Sequence, residues 1–443
     1  MALLYNRGPD LIPTTRVEAE GSKQSKIAII GEAPGAKEVQ ARRPFVGPSG
    51  NLLNQLLQGA GIIRSDCYIT NLIKEQPPKT GKKSNDISVF LDVSKKSGAI
   101  ETDAYKEYKE ELRLEIEKTD CNILVAMGNA VLYALTDIHP PSITKRRGSI
   151  YECTLVPGRK VMACIHPAAC LHSVSKLEGQ AGYKGGMYIW KHFIRHDLQR
   201  AKEESVDRIV KRNDFEYVIR PSYMDSKLFL ENILDKCITP VAFDIEVVNL
   251  EVSCISFAYD YNNEKVAISI PFTADHMEYM SVDQEMEIWN VIAKVIESPD
   301  IVKVGQNLVF DTQFLFRSYG IAPPLVEGIL EDTMIAQGVL VPDFPKGLDF
   351  ITSIYTNEPY YKDEGKKHFS GATGDDRSFW LYNAKDSAIC IDALPKQLDE
   401  LRQLGNIQRY RRQTDLIPIL AYMSERGIRM DVEGMKEKSV EVG

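Results

Sequence analysis

Short apolar runs and helical stripes alternate along this chain. Lys26–Ile30, Cys67–Ile73, Asn122–Met127 and Lys160–Ile165 are apolar stretches closed by Gly, Pro or a polar turn, and each reads as a strand. Between them the spacing becomes helical. In Gly50–Gly59 the residues Leu52, Leu53, Leu56 and Leu57 share one face, with Ser49 as a cap. Strands alternating with helices predict a parallel, layered α/β sheet over residues 22–200. Gln76–Gly98, rich in Pro, Lys, Ser and Gly, reads as a long loop, and the charged residues 201–214 read as a linker. A second block, residues 215–401, offers strands at Val241–Ile245, Val252–Tyr259, Lys265–Pro271 and Ile301–Gly305 with helices after them. Three consecutive strands before mixed strand and helix predict an antiparallel part joined to a parallel part. Residues 402–443 are helical, with a break at Gly427.

A length of 443 residues suggests two or three domains, and 44% hydrophobic with 26% charged residues suits a folded chain. No apolar run is long enough to cross a bilayer, and Met1–Arg16 lacks a secretory pattern, so an intracellular protein without membrane contact is expected. The eight cysteines form no C-x-x-C pair and read as reduced, mostly buried thiols. A net charge of −8 disfavours broad phosphate contact, although it suits an enzyme that holds cations with carboxylates. Arg42–Arg43, Lys82–Lys83 and Lys145–Arg147 are the basic clusters available for local contact with nucleic acid; alone, such clusters are more often solvated faces.

Three patterns in the second block carry chemistry. Phe243-Asp244-Ile245-Glu246 sets two acids two residues apart on a predicted strand, so both point to one face. The run Val304-Gly305-Gln306-Asn307-Leu308-Val309-Phe310-Asp311 ends a strand and opens a helix bearing Asp311. Tyr382-Asn383-Ala384-Lys385-Asp386 spaces a phenol and a carboxylate at i and i+4 on a helix. Two-metal phosphodiester hydrolysis needs hard oxygen ligands around ions about 4 Å apart. Asp244, Glu246, Asp311 and Asp386 are the candidate ligands, Tyr382 the candidate for orienting the attacking water, and Asn307 a candidate substrate contact. Singly, each pattern is more often a solvated strand end, a cap or a surface pair.

In this order, and with Val241-Ala242 and Glu331-Asp332-Thr333-Met334 around them, the motifs resemble the DEDDy 3′–5′ exonuclease domain of family A DNA polymerases. The resemblance covers roughly Phe215 to Leu401. It implies a ribonuclease-H-like mixed sheet, two divalent cations (Mg²⁺ or Mn²⁺) and proofreading of a DNA 3′ end. Leu416–Leu420 and Met423–Asp431 resemble the segment leading into the polymerase thumb, so residues 402–443 are expected to begin it and the polymerase active site to lie beyond Gly443.

In the first block, Gly31-Glu32-Ala33-Pro34-Gly35 follows a strand and Arg43-Pro44-Phe45-Val46-Gly47-Pro48-Ser49-Gly50 precedes a helix. Tyr68-Ile69-Thr70-Asn71 and His166-Pro167-Ala168-Ala169 end two further strands. Carboxyl ends of parallel strands are where open α/β sheets build ligand sites. An enzyme that removes a base must extrude it, hold it and stabilise it on leaving. Phe45 can stack on the base, Asn71 offers a donor and an acceptor to a uracil edge, and His166 can support the leaving uracil. Glu32, or water held by its loop, can act at the sugar carbon. Each also has a plain structural reading: a tight turn, a helix cap, a structural histidine.

The set resembles the iron–sulfur, thermostable-type branch of the uracil-DNA glycosylase superfamily, which implies a three-layer α/β fold. Ala33 at the third position of the first motif is shared with that branch. The chain departs from it in the ligands for a [4Fe–4S] cluster: no cysteine precedes Cys67, and the third-ligand region reads Lys74-Glu75-Gln76-Pro77-Pro78. An iron–sulfur cluster is therefore not expected. His172 stands where an arginine is usual.

The expected function is 3′–5′ exonuclease action on DNA in replication, with a first domain that excises or senses uracil. The fused arrangement resembles some bacteriophage replicative polymerases, which places it in host cytoplasm. Its expected partners are primer–template DNA and single-stranded 3′ ends; a separate chain carrying the polymerase half is one possibility and a truncated product the other. Two rivals stay open: a ribonuclease-D-like RNA exonuclease, and a first domain that binds DNA without catalysis.

Overall fold

The computed structural model describes residues 16–78, 80, 86–95, 97–171, 186–274, 277–364 and 376–442. His172 and Lys82–Lys83 lie outside them. The chain divides into two compact units: the first reaches Arg212 and includes Asn357–Tyr360, and the second takes Asn213–Thr356 and Tyr361–Gly443.

The first unit is built on a five-stranded sheet. Its strands are β1 (Ile27–Gly31), β2 (Cys67–Asn71), β5 (Ile123–Met127), β6 (Ile150–Glu152) and β7 (Lys160–Cys164), in the order β2-β1-β5-β7-β6. β2, β1, β5 and β7 pair in parallel and are buried along their whole length, which is why each is a continuous apolar run. β6 is an antiparallel edge strand that three residues of apolar pattern did not announce. Inside the expected loop lies β3 (Leu91–Asp92), which pairs with β4 (Ile100–Glu101) just beyond it. Ala28, Ile30, Leu124, Ala126, Val161 and Ala163 form one core face with Leu112, Ile116, Leu132 and Leu135 from helices Asp103–Glu117 and Asn129–Thr136.

Two expectations need correcting here. The linker does not begin at Ala201: helix Gly186–Glu204 runs through it, with Ala201 fully buried beside Ile194 and Leu198. Lys145–Arg147 is not a free basic cluster, since Arg147 is buried and its Nε donates to Asp197 Oδ2 at 3.0 Å. A buried guanidinium held by a carboxylate serves packing, not phosphate contact.

The second unit carries a six-stranded mixed sheet in the order β15-β14-β9-β10-β11-β8. These are β8 (Glu216–Val218), β9 (Val241–Val248), β10 (Glu251–Tyr261), β11 (Glu264–Pro271), β14 (Lys303–Gly305) and β15 (Leu330–Asp332). A small ladder of β12 (Thr273–Ala274) and β13 (Met277–Glu278) is separate. β9, β10 and β11 are antiparallel; β14 and β15 continue in parallel beside β9, and β8 is parallel to β11.

Side-chain alternation then decides the site. Phe243 and Ile245 of β9 pack with Ile255, Phe257, Ile268 and Ile270 against helices Tyr223–Asp235 and Val282–Glu297. Ala242, one residue before Phe243, faces the opposite side. It sits opposite Ala258, which sits opposite Ala267, giving a row of three alanines across three strands. That row packs with Ala384, Ala388 and Ile389 of the long helix Asp376–Gln403. Asp244 and Glu246 share the parity of Ala242, so they point towards that helix.

Residues 402–443 do not separate from the second unit. The long helix continues to Gln403, and Tyr410 of helix Ile407–Thr414 is fully buried, its hydroxyl donating to Glu331 Oε2 at 2.6 Å. Helices Ile417–Arg426 and Val432–Val442 follow, with Gly427 at φ 63° closing the first. No helix among the described residues is long and apolar enough to cross a membrane.

Ala258→Leu is expected to cost about 1–3 kcal/mol through overpacking between sheet and long helix. Urea denaturation followed by tryptophan fluorescence checks it; an unchanged midpoint would show that the helix does not rest on the alanine row.

Candidate functional site

Asp244, Glu246 and Asp386 converge between β9 and the long helix, with carboxylate oxygens all within 4.8 Å of one another. Asp311 lies beside them but is turned onto the strand, its Oδ1 accepting the Ile245 N–H at 3.1 Å. Tyr382 stands one helical turn before Asp386 and is half-buried. Between these two, Asn383 points into the sheet. Its Nδ2 donates to Asp244 Oδ2 at 2.9 Å, and its Oδ1 accepts from Ser269 at 2.8 Å. Asn307, in contrast, is exposed at φ 63° before helix Leu308–Tyr319.

The electrostatics follow from crowding acids out of water. Burial first, then the charges of Asp386, Glu246 and Asp311, push Asp244 well above the usual carboxylate range. Burial and Asp386 push Glu246 up to about 8. Burial pushes Asp311 up to about 7, against the pull of the Ile245 N–H. Carboxylates so placed hold protons or need a cation. Lys362 supplies one positive charge: its Nζ donates to Asp386 Oδ2 and, at 3.2 Å, to the Tyr382 hydroxyl. Burial works against that ammonium, but Asp386, Asp244 and Glu246 outweigh it and hold the lysine above its ordinary range.

In the first unit the four candidate residues gather at the carboxyl ends of the parallel strands. Glu32 follows β1, Asn71 ends β2, and His166 lies just beyond β7. A Cβ on Gly31 would come within 2.3 Å of Asn71 Oδ1 and 2.7 Å of Phe45 Cζ, so only glycine lets both side chains close over β1. The Phe45 ring stacks on His166 with centroids 5.7 Å apart and planes 26° apart. His166 Nδ1 accepts the Ala168 N–H at 3.1 Å, so in the neutral imidazole the proton resides on Nε2. Glu32 is packed against Gly128, where a Cβ would lie 2.6 Å from Oε1. Burial raises its pKa to about 7, partly offset by the Ala130 N–H.

Comparison with known proteins falls on these two units separately. The uracil DNA glycosylase superfamily model matches residues 18–184. A type-4 uracil-DNA glycosylase of Thermotoga maritima is 33% identical over 162 residues, covering 37% of this chain and 74% of that enzyme. The chain belongs to the uracil-DNA glycosylase superfamily. This glycosylase-superfamily unit is fused to a 3′–5′ exonuclease domain, whose family model matches residues 223–398. A DNA polymerase of Bacillus phage SP01 is 30% identical over 156 residues, which is 35% of this chain and 14% of that polymerase. Among solved structures, ribonuclease D of Escherichia coli overlays 48% of this chain and 51% of its own at 15% identity and a TM-score of 0.36.

The donor sets of the two units differ in what they fit. The acids of the exonuclease unit are all hard oxygen donors within mutual reach, which suits divalent cations. The glycosylase-superfamily unit does not fit an iron–sulfur cluster. The run Lys74-Glu75-Gln76-Pro77-Pro78 holds no cysteine, and at its start Lys74 is buried, its Nζ donating to Thr70 and to Glu115, which also accepts from Tyr68 at 3.0 Å. The Lys74 carbonyl accepts the Val17 N–H at 3.0 Å, tying the entering chain to the same place.

Three positioning groups escaped the motif reading. Glu38 accepts the Gly35 N–H at 2.5 Å and the N–H groups of Phe45 and Val46, joining the two loops of the glycosylase-like site. Arg64 holds the Pro44 and Phe45 carbonyls at 2.8 and 3.1 Å. Asp332 accepts the N–H groups of Leu308, Met334 and Ile335 at 2.8, 2.8 and 3.0 Å, fixing the turn that presents Asp311. A Glu three residues after the helix-opening Gly35 is half of a capping box, the one sequence signal by which Glu38 could have been found.

Two measurements follow. Glu246 and Asp311 have folded pKa values above ordinary ones, so each favours the folded chain at low pH and loses that contribution as pH rises through about 8 and about 7. Cation binding must displace those protons, so the Mg²⁺-induced rise in Tm is expected to be larger near pH ~8.5 than near pH ~6; equal shifts would contradict it. Lys74→Met strands Glu115 and is expected to destabilise by about 3 kcal/mol. A denaturation midpoint unmoved by that substitution would contradict the structural role.

Proposed function

We propose that the chain is the proofreading portion of a family A DNA polymerase, removing nucleotides from DNA 3′ ends, with a first unit that excises uracil. The observation that carries the exonuclease reading is the convergence of Asp244, Glu246 and Asp386 within 4.8 Å beside Tyr382. Likeness to a phage DNA polymerase supports the replicative setting, and residues 402–443 are then the start of its thumb region.

Asp244, Glu246, Asp311 and Asp386 would hold two divalent cations, which when bound lower the pKa of water and offset charge on the leaving oxygen. Tyr382 orients the water. The water's oxygen bonds to the terminal phosphorus as the bond to the 3′ oxygen breaks, releasing a nucleoside 5′-monophosphate. The water's proton is lost to solvent, and the departing 3′ oxygen is protonated, so one water is consumed. Asn383 keeps Asp244 oriented from behind.

In the first unit, Phe45 stacks on an extruded base and the Asn71 amide reads its edge. His166 donates from Nε2 to the departing uracil, while Glu32 supports the sugar carbon or takes the proton of the attacking water.

Digestion of a 3′-mismatched primer–template in Mg²⁺ tests the first part. Shortening from the 3′ end, abolished in Asp244→Ala/Glu246→Ala, is expected; faster loss of a matched RNA oligonucleotide would favour a ribonuclease-D-like enzyme instead. Abasic-site formation in uracil-containing DNA tests the second. Because the working form of Glu32 is the carboxylate, excision is expected to rise with pH through about 7 and to fall roughly 100-fold in Glu32→Gln. DNA binding without abasic sites would make the first unit a silent module.

A further inference from the structure

We propose that Lys362 is a positioning residue of the exonuclease, tying Asp386 to Tyr382 so that the phenol is fixed where the attacking water must be oriented. The inference rests on the exonuclease reading above. Tyr361 and Lys362 are consecutive and engage both oxygens of one carboxylate: the Tyr361 hydroxyl donates to Asp386 Oδ1 and Lys362 Nζ to Asp386 Oδ2. The same Nζ donates to the Tyr382 hydroxyl at 3.2 Å and lies 4.7 Å from that ring's centroid.

The segment bearing these residues is itself clamped. The Glu364 N–H donates to the Tyr361 carbonyl at 2.8 Å, closing a turn, and the Glu364 carboxylate pairs with Lys385 at 3.1 Å. Two neighbours on the long helix, Lys385 and Asp386, therefore hold the turn from both ends. An amine acting only as a loose counter-charge would need none of this. By donating to the phenolic oxygen, Lys362 also directs the Tyr382 hydrogen away from itself and towards an acceptor. A group held by charge-assisted bonds keeps its orientation through turnover, and a displacement of about 1 Å at such a position can cost on the order of 100-fold.

The test compares the full chain with Lys362→Met and Lys362→Arg. It reads kcat and KM on a single-stranded deoxyoligonucleotide, and separately the Mg²⁺ concentration that gives half the rise in Tm. Lys362→Met is expected to lower kcat by about 100-fold with KM and the Mg²⁺ midpoint unchanged, and Lys362→Arg to recover part of the loss. Undiminished kcat in Lys362→Met, with a lower Mg²⁺ midpoint or an unchanged one, would overturn the proposal by making the lysine a mere counter-ion. Should that variant melt early, Lys362→Gln keeps a donor without the charge and is expected to retain most of kcat; a loss of about 100-fold there, with a lowered Mg²⁺ midpoint, would overturn the proposal by making charge and not orientation the role of the lysine. Wild-type protein that digests nothing in Mg²⁺ or Mn²⁺ would instead strike down the exonuclease reading, and this proposal with it.

Discussion

Repulsion among Asp244, Glu246, Asp311 and Asp386 is the constraint around which the second unit is arranged. Three of these acids have their pKa values driven up by burial and by one another. Such a cluster is costly unless something pins its members in place. The alanine row of β9, β10 and β11 brings the long helix close, Asn383 holds Asp244, and the Ile245 N–H holds Asp311. Lys362 supplies a positive charge against Asp386. The same crowding is what a pair of divalent cations would relieve, so an arrangement poor for stability is suited to binding them.

The first unit solves a different problem, holding two loops over the ends of parallel strands. Glu38 takes N–H groups from both loops, and Arg64 takes carbonyls from one. Gly31 leaves the room that Asn71 and Phe45 occupy. A type-4 uracil-DNA glycosylase of Thermotoga maritima is 33% identical to this chain over 74% of its own length. The Lys74–Glu115 pair braces the entering chain within the same unit. Bracing of the entering chain and closure of the two loops thus fall to different residues.

Much of this was legible because it is local. Period-two alternation put Asp244 and Glu246 on one face, and i, i+4 spacing put Tyr382 and Asp386 on another. Continuous apolar runs marked β1, β2, β5 and β7. β6, β8 and β15 are three residues each, too short to show a period. Arg147 read as surface charge because nothing near it in sequence announces Asp197, fifty residues away. Lys362 was invisible for the same reason, its partner Asp386 lying 24 residues away; Asp332 stood within a recognised run, but its bond to the Leu308 N–H, 24 residues away, was not legible. The start of the linker was misplaced because Ala201 is small, and a small residue gives little sign that it is buried.

The most direct test of the central claim, that these acids form a site for paired cations, is a Mn²⁺ titration followed by electron paramagnetic resonance in the presence of a nucleoside 5′-monophosphate. The account expects two ions per chain, spin-coupled at roughly 4 Å, and no coupling in Asp244→Asn/Asp386→Asn. Uncoupled ions, or coupling that survives the double substitution, would contradict it.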